Sequence, residues 1–276
     1  MKERYQEIDD KNESLRELFL EHPKARAFLD RFEMSWVYHD NALEGVVYGP
    51  AELQAALHPV GPPDASMVPA VLDIRNQKAA IDFIREEARS SGRKQSVVSM
   101  AVIKRIHDLL LGNTPEAQAM RAQLERRERT EKELLKERDR AGLRRDMPLH
   151  RTYFHDIAQP GKIQGLLDKL LEFTASTEFK EYHPIKQAAT FQFQFLQVFP
   201  FSEHSGKVAR MTSNLVLQRH GYIPCIIHSI DRQRYYESFR GTPASFRILM
   251  MDAMENSLDN GLKYFRDQAR RYRAIN

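Results

Sequence analysis

Apolar residues recur at three- and four-residue steps along most of the chain, the spacing that puts them on one face of a helix. Leu15, Leu18 and Phe19 mark a first helix that Asn12 or Ser14 can cap and that ends before Pro23. Phe28, Leu29, Phe32, Trp36 and Leu43 predict a second from about Lys24 to Glu44, with Gly45 placed to stop it. A short helix from Pro50 to Leu57 and the turn-rich run Pro59–Asp64 follow. Further helices are expected over Ile74–Ala88, Val97–Leu111 and Ile163–Phe173, the second of them closed by Gly112 and Asn113. Two strongly apolar segments come next, His183–Val198 and Lys207–Gln218, the latter running out at Gly221. A helix opening near Asp231 and a long one over Ser245–Tyr272 end the series. One stretch departs from this pattern. Met147–Ile157 partly alternates and carries β-branched and aromatic residues, which makes it the candidate for a β-hairpin with Gln159-Pro160-Gly161 as a turn.

Residues 116–145 are dominated by charge, with pairs such as Glu125 and Arg129 or Glu128 and Lys132 at four-residue spacing. They read as an exposed helical insertion with too few apolar positions for a coiled coil. Across all 276 residues, 42% hydrophobic and 29% charged content are ordinary for a globular chain, and 276 residues suffice to bury a core. The net charge of +4 comes with no Lys/Arg patch free of acids, so nucleic acid is not a favoured partner. The single cysteine, Cys225, excludes an intramolecular disulfide and suits a reducing compartment. The N-terminal residues carry no apolar targeting core, and no uncharged apolar run is long enough for a bilayer. The expectation is a cytoplasmic protein with no membrane partner.

Chemistry concentrates between the two apolar helices, in Val198-Phe199-Pro200-Phe201-Ser202-Glu203-His204-Ser205-Gly206-Lys207-Val208-Ala209-Arg210. Small and polar residues there feed a helix N-terminus, where unpaired N–H groups and the positive dipole end favour anions. Lys207 and Arg210 on the first turn add two cations suited to phosphate. Glu203, the only carboxylate in the loop, could reach a Mg²⁺ held by those phosphates. The other reading of these residues is a helix start with ordinary surface charges. His150 and His155 fit no zinc spacing, so a histidine-bound metal is not expected, and His107 reads as a packed helix histidine.

The loop resembles the signature of the Fic (filamentation-induced-by-cyclic-AMP) family, His-x-Phe-x-(Asp/Glu)-Gly-Asn-Gly-(Lys/Arg)-x-x-Arg. Phe201, Glu203, Gly206, Lys207 and Arg210 match in register, whereas Phe199, His204 and Ser205 depart from it. The resemblance implies an all-α Fic-fold bundle with one small β-hairpin, the flap, before the core helices. It divides the chain into residues 1–95, an N-terminal helical region, and 96–276, a Fic-like core with the charged insertion at 116–145. It also implies transfer of AMP from ATP to a protein hydroxyl, with a general base at position 199. Phe199 cannot accept a proton, so transfer is expected to be impaired or lost while a nucleotide-phosphate site is retained. Gln192 likewise stands where many relatives carry a second histidine.

On the same resemblance, Ser205, Gly206, Lys207 and Arg210 hold the phosphates of ATP or another nucleoside triphosphate, and Glu203 holds Mg²⁺. Asp40-Asn41-Ala42-Leu43-Glu44-Gly45 resembles the family's inhibitory motif, (Ser/Thr)-x-x-x-Glu-(Gly/Asn), with Asp40 in place of the hydroxyl residue. It implies that Glu44 pairs with Arg210; a surface glutamate at a helix stop is the other reading. Tyr235 or Tyr236 stacks on the base, or else packs into the bundle. Two alternatives stand beside this reading. One is an active nucleotidyl- or phosphotransferase with His204 as base; the other is a nucleotide-free scaffold that binds a partner through the hairpin. An unidentified target protein is expected at the hairpin, and the resemblance also allows a homodimer.

Overall fold

The computed structural model describes residues 1–21, 24–90, 98–125, 130, 133, 142–148 and 155–275. Twelve α-helices occur among them: α1 Lys2–Glu21, α2 Ala25–Leu43, α3 Pro50–Leu57, α4 Val68–Ser90, α5 Met100–Leu111, α6 Pro115–Glu125, α7 Ile163–Ala175, α8 Thr177–Glu181, α9 Pro184–Val198, α10 Ser205–Arg219, α11 Arg232–Ser238 and α12 Pro243–Ile275. The fold is all-α, and no strand occurs among the described residues.

The centre of the bundle is α10. Thirteen of its fifteen residues, Ser205 to Leu217, are buried, so it is enclosed on all sides by other helices. Helix α9 lies along it, and α4 and α5 cover another side. Helix α7 backs α9, and α12 packs on both α9 and α1. Two buried polar side chains of α10 bond into the surrounding bundle. Ser213 Oγ donates to Ala188 O at 3.1 Å, and Asn214 holds both backbone groups of Cys225, at 2.8 and 3.3 Å. That bond pair fixes the extended chain after α10, where burial pushes the Cys225 thiol up to about 12 and keeps it inert.

Local signals explain most boundaries. Ser99 caps α5 by accepting from Val102 N–H at 3.3 Å, and Gly112, with φ +70°, ends it in the left-handed region. Pro184 sits at the first position of α9, while His183 Nδ1 accepts from Ile185 N–H. Two helices begin earlier than the sequence suggests. Helix α1 starts at Lys2, not at Asn12 or Ser14, because Ile8 joins Leu15 in the core and Arg4 pairs with Glu255 of α12 at 2.7 Å. Helix α4 starts at Val68, not at Ile74, since Val71 and Leu72 extend its buried face.

The hairpin expected over 147–157 is not found among the described residues. Residues 149–154 lie outside them, 147–148 and 155–159 are irregular, and Pro160–Lys162 is a short 3₁₀ turn. The physical reason is where the backbone groups go. Ala158 N–H donates to Gln197 O at 3.0 Å, and the Arg144 guanidinium takes the carbonyls of Asp146 and Ala158. Groups that a ladder would use are committed to the end of α9 instead. The charged insertion is helical over Pro115–Glu125; nearly all of its remainder to residue 141 lies outside the described residues.

Candidate active site

The loop between α9 and α10 is set by two non-glycine residues in the left-handed region, Phe199 (φ +48°) and His204 (φ +62°). Such residues cost on the order of 1–2 kcal/mol each, so something must hold them. Phe199 N–H bonds back to Phe195 O at 2.8 Å and closes the end of α9. Arg144, 5% exposed, donates from Nε to Phe199 O at 2.6 Å and reaches the carbonyl of Val198 as well, while its own N–H bonds Pro200 O at 2.8 Å. A cation at a helix C-terminus is favourable to the dipole, and here it also satisfies terminal carbonyls. At the other end, Ser205 Oγ accepts from Phe201 N–H and donates to Phe201 O, both at 2.8 Å. Its hydroxyl is spent on closing the loop. Phe201 is fully buried and stacks on His107, whose Nε2 bonds Glu203 O at 3.1 Å. The loop is therefore pinned from inside by His107 and from the α9 end by Arg144.

The tip of α2 meets the first turn of α10. Gly45, at φ +87°, donates to Ala42 O at 3.1 Å, and Val46 N–H donates to Asn41 O at 3.0 Å, which ends α2 in a Schellman turn. From α11, Arg232 Nε and Tyr236 Oη both donate to Leu43 O, at 2.8 and 2.9 Å. The fixed tip presents Asp40 and Glu44 on one face, four residues apart. Arg210 Nη2 donates to Glu44 Oε1 at 2.7 Å and to Asp40 O at 3.2 Å, and its Nε pairs with Asp40 Oδ1. Nη1 reaches Tyr235 Oη at 3.3 Å. Burial alone would lower the Arg210 pKa, but Asp40, Tyr235 and Glu44 together hold it well above the usual value. Lys207 Nζ, 7% exposed as a residue, donates to Asn41 Oδ1 at 2.6 Å; burial lowers its pKa, against the pull of Asp40 and Glu44. Gln77 from α4 completes the network by donating to Asp40 Oδ2 at 2.8 Å.

Gly206 is required by this approach. A Cβ there would collide with the Glu44 carboxylate and stand 3.1 Å from Arg210 Nη1. Glu44, Gly206, Arg210, Phe199, Leu196, His155, Tyr235, Tyr236 and Phe239 enclose a cavity of about 10 Å³, room for about one water. The carboxylate thus occupies the space above the helix N-terminus.

Of the residues singled out in the sequence, the structure brings together Glu44, Gly206, Lys207, Arg210, Tyr235, Tyr236 and Phe199. Tyr235 is fully buried, bonded through its hydroxyl to Gln192 Nε2 at 3.1 Å and packed on Phe239, with no face open to a base. Tyr236 keeps partial exposure beside Arg232. His204 occupies the N-cap position of α10, where its side chain makes no cap hydrogen bond, and it does not line the cavity. Glu203 is partly exposed, and no group of three or more metal-ligating side chains occurs among the described residues. Two participants escape the sequence reading: Arg144 carries no spacing signal, and His155 reads there only as a rejected metal ligand. Asp40 reads there only as a substitute for the motif's hydroxyl residue, not as a partner of Arg210.

The site is thus a helical bundle whose central helix begins beside two cations, with a carboxylate from a second helix laid over its N-terminus. Residues 97–217, the segment that holds this loop, match the model of the Fic/DOC family. Protein adenylyltransferase Fic of Aedes aegypti is 30% identical over 104 residues, 36% of this chain and 21% of that protein. The protein of that name from Culex quinquefasciatus is 28% identical over 104 residues with the same shares. The match spans about a fifth of the length of these relatives. Among solved structures, Fic-1 from C. elegans aligns with a TM-score of 0.70 at 20% identity, over 95% of this chain and 71% of that one. A Fic domain containing signalling protein from Bacteroides thetaiotaomicron aligns with a TM-score of 0.70 at 18% identity, over 96% and 98%. These likenesses establish the fold.

Proposed function

We propose that this chain is a nucleotide-binding Fic protein in which the phosphate cradle is intact but held closed. The observation that carries the reading is the Glu44–Arg210 contact over Gly206, which occupies the place a phosphate would take at the head of α10. With Glu44 withdrawn, the first-turn N–H groups of Ser205 and Gly206 and the guanidinium edge of Arg210 face the freed space. A nucleoside triphosphate such as ATP is the ligand that this charge and the adenylyltransferase relatives favour. Glu203, partly exposed at the mouth, suits a Mg²⁺ bound chiefly by phosphate oxygens and water with one protein carboxylate. Such an ion neutralises phosphate charge. Transfer of AMP to a protein hydroxyl is slow in this reading because Glu44 and Asp40 both engage Arg210, and Phe199 itself takes no proton.

The test is thermal unfolding with millimolar Mg–ATP. The Glu44→Gly variant gains several degrees, because a ligand that binds only the folded chain stabilises it by mass action. The Glu44→Gly/Arg210→Lys variant gains less. No shift in Glu44→Gly sinks the cradle.

A further inference from the structure

Position 199 carries no proton acceptor, but a histidine lines the same cavity. His155 stands on the irregular segment before α7 and lines the same cavity as Phe199, Gly206, Arg210, Glu44 and Tyr236. Its Nε2 lies 2.9 Å from Leu196 O in the last turn of α9. A carbonyl can only accept, so Nε2 carries the hydrogen and the neutral ring leaves Nδ1 as a bare lone pair. Nδ1 is buried and has no hydrogen-bond partner among the described residues. A buried nitrogen with no partner is costly, and such atoms are few in folded chains. The ring is held in place by its tilt against Phe239, centroids 5.2 Å apart.

We infer that His155, supplied from outside the signature loop, is the general base of this site, in place of the missing group at position 199. The inference rests on the cradle reading above. With Glu44 displaced and a nucleoside triphosphate seated, Nδ1 takes the proton of a target hydroxyl as its oxygen bonds to the α-phosphorus. The bond from that phosphorus to the β-bridging oxygen breaks, and pyrophosphate leaves with the electron pair. Leu196 O, accepting from Nε2–H, stabilises the imidazolium until it returns the proton to water. Burial holds the His155 pKa below its ordinary value, partly offset by the Leu196 bond and by Asp156. Of the charged and titratable groups around it, Glu44 and Arg210 pair with one another, and Tyr235 and Tyr236 stay neutral because burial raises both. Nδ1 is therefore bare at neutral pH.

The experiment uses the full chain carrying Glu44→Gly, with Mg–ATP labelled at the α-phosphate. Acceptors are the chain itself and a disordered, serine-rich carrier protein. Label is expected in both. Adding His155→Gln lowers incorporation about a hundredfold or more, with melting temperature and Mg–ATP affinity unchanged. Adding Phe199→His to that variant restores incorporation. The pH profile of Glu44→Gly loses rate as pH falls through the lowered His155 pKa, and that limb is absent in the Phe199→His rescue at the same position. Incorporation that survives His155→Gln overturns the inference, and so does none by Glu44→Gly despite bound nucleotide; both leave the cradle standing. Affinity that falls together with incorporation moves His155 into binding and ends its role as base. Absence of nucleotide binding defeats the cradle itself.

Discussion

The two walls of the cavity are built on opposite plans. On the α2 side every charge has a partner: Arg210 is held by Asp40 and Glu44, Lys207 by Asn41, and Asp40 also by Gln77. On the α9 side Arg144 sends its bonds to main-chain carbonyls, and the same side carries an imidazole nitrogen with no partner among the described residues. The first wall can close or open because its outer member, Glu44, is partly exposed, with a side chain 31% accessible. The second wall has no such movable ion pair, since it is backbone held by one buried guanidinium. On the proposed function, regulation belongs to the charged wall and the placement of reacting groups to the other.

The comparison breaks most sharply at Arg210. Arg210→Met leaves the Asp40 carboxylate buried, 3% exposed, without its cation, and is expected to cost about 3–5 kcal/mol in urea unfolding. Glu44→Gln, at the accessible end of the same network, is expected to cost less than about 1 kcal/mol. Equal losses would mean that the wall is not graded from a fixed interior to a movable edge. Arg144→Met comes next. It removes a donor from the carbonyls of Phe199 and Asp146, for an expected loss of about 2–3 kcal/mol by the same assay. A loss below about 0.5 kcal/mol would show that the α9 wall stands without its clamp.

Tyr236→Phe removes one of two donors to Leu43 O while Arg232 keeps the other, so about 0.5–1 kcal/mol is expected. The finest probe is pH. His39, stacked on His228 at 4.3 Å, has its pKa lowered to about 4, first by burial and then by His228. The folded chain disfavours the proton that the unfolded chain takes near 6.5, so this contribution is full above pH 6.5 and is lost as pH falls toward 4. Melting temperature should drop between pH 7 and pH 5, and less so in His39→Gln. Because His39 precedes Asp40, acid should also loosen the charged wall before the other.

The sequence was most legible where a signal is local. Pro50 and Leu57 bound α3 as expected, and Gly45 and Gly112 stop α2 and α5, because backbone stereochemistry at prolines and glycines needs no distant partner. The helical class follows from the same periodicity. Less legible was anything decided by a remote carbonyl. Arg144 sits among other charges and reads as solvent-facing, yet it closes α9 from 55 residues away. His155 becomes a base candidate only through Leu196 O, and the described residues that end the expected hairpin bond to α9 instead of a strand. Asp40 fills a place where the family pattern has a hydroxyl, and nothing local announces that it takes Arg210 Nε. The likeness to the family pointed to Glu44 beside Arg210; Asp40, the second carboxylate, departs from the motif that carries the likeness.

That second carboxylate gives the direct test of the central claim, that α2 closes a working phosphate cradle. Mg–ATP is titrated calorimetrically into the wild type, Glu44→Gly and Asp40→Ser/Glu44→Gly. The expected result is affinity that rises in that order, about tenfold or more at the first step as the accessible lock is removed and again at the second as the guanidinium is freed. Equal affinities across the three, or no heat in any of them at millimolar nucleotide, would contradict it and leave the loop as architecture alone.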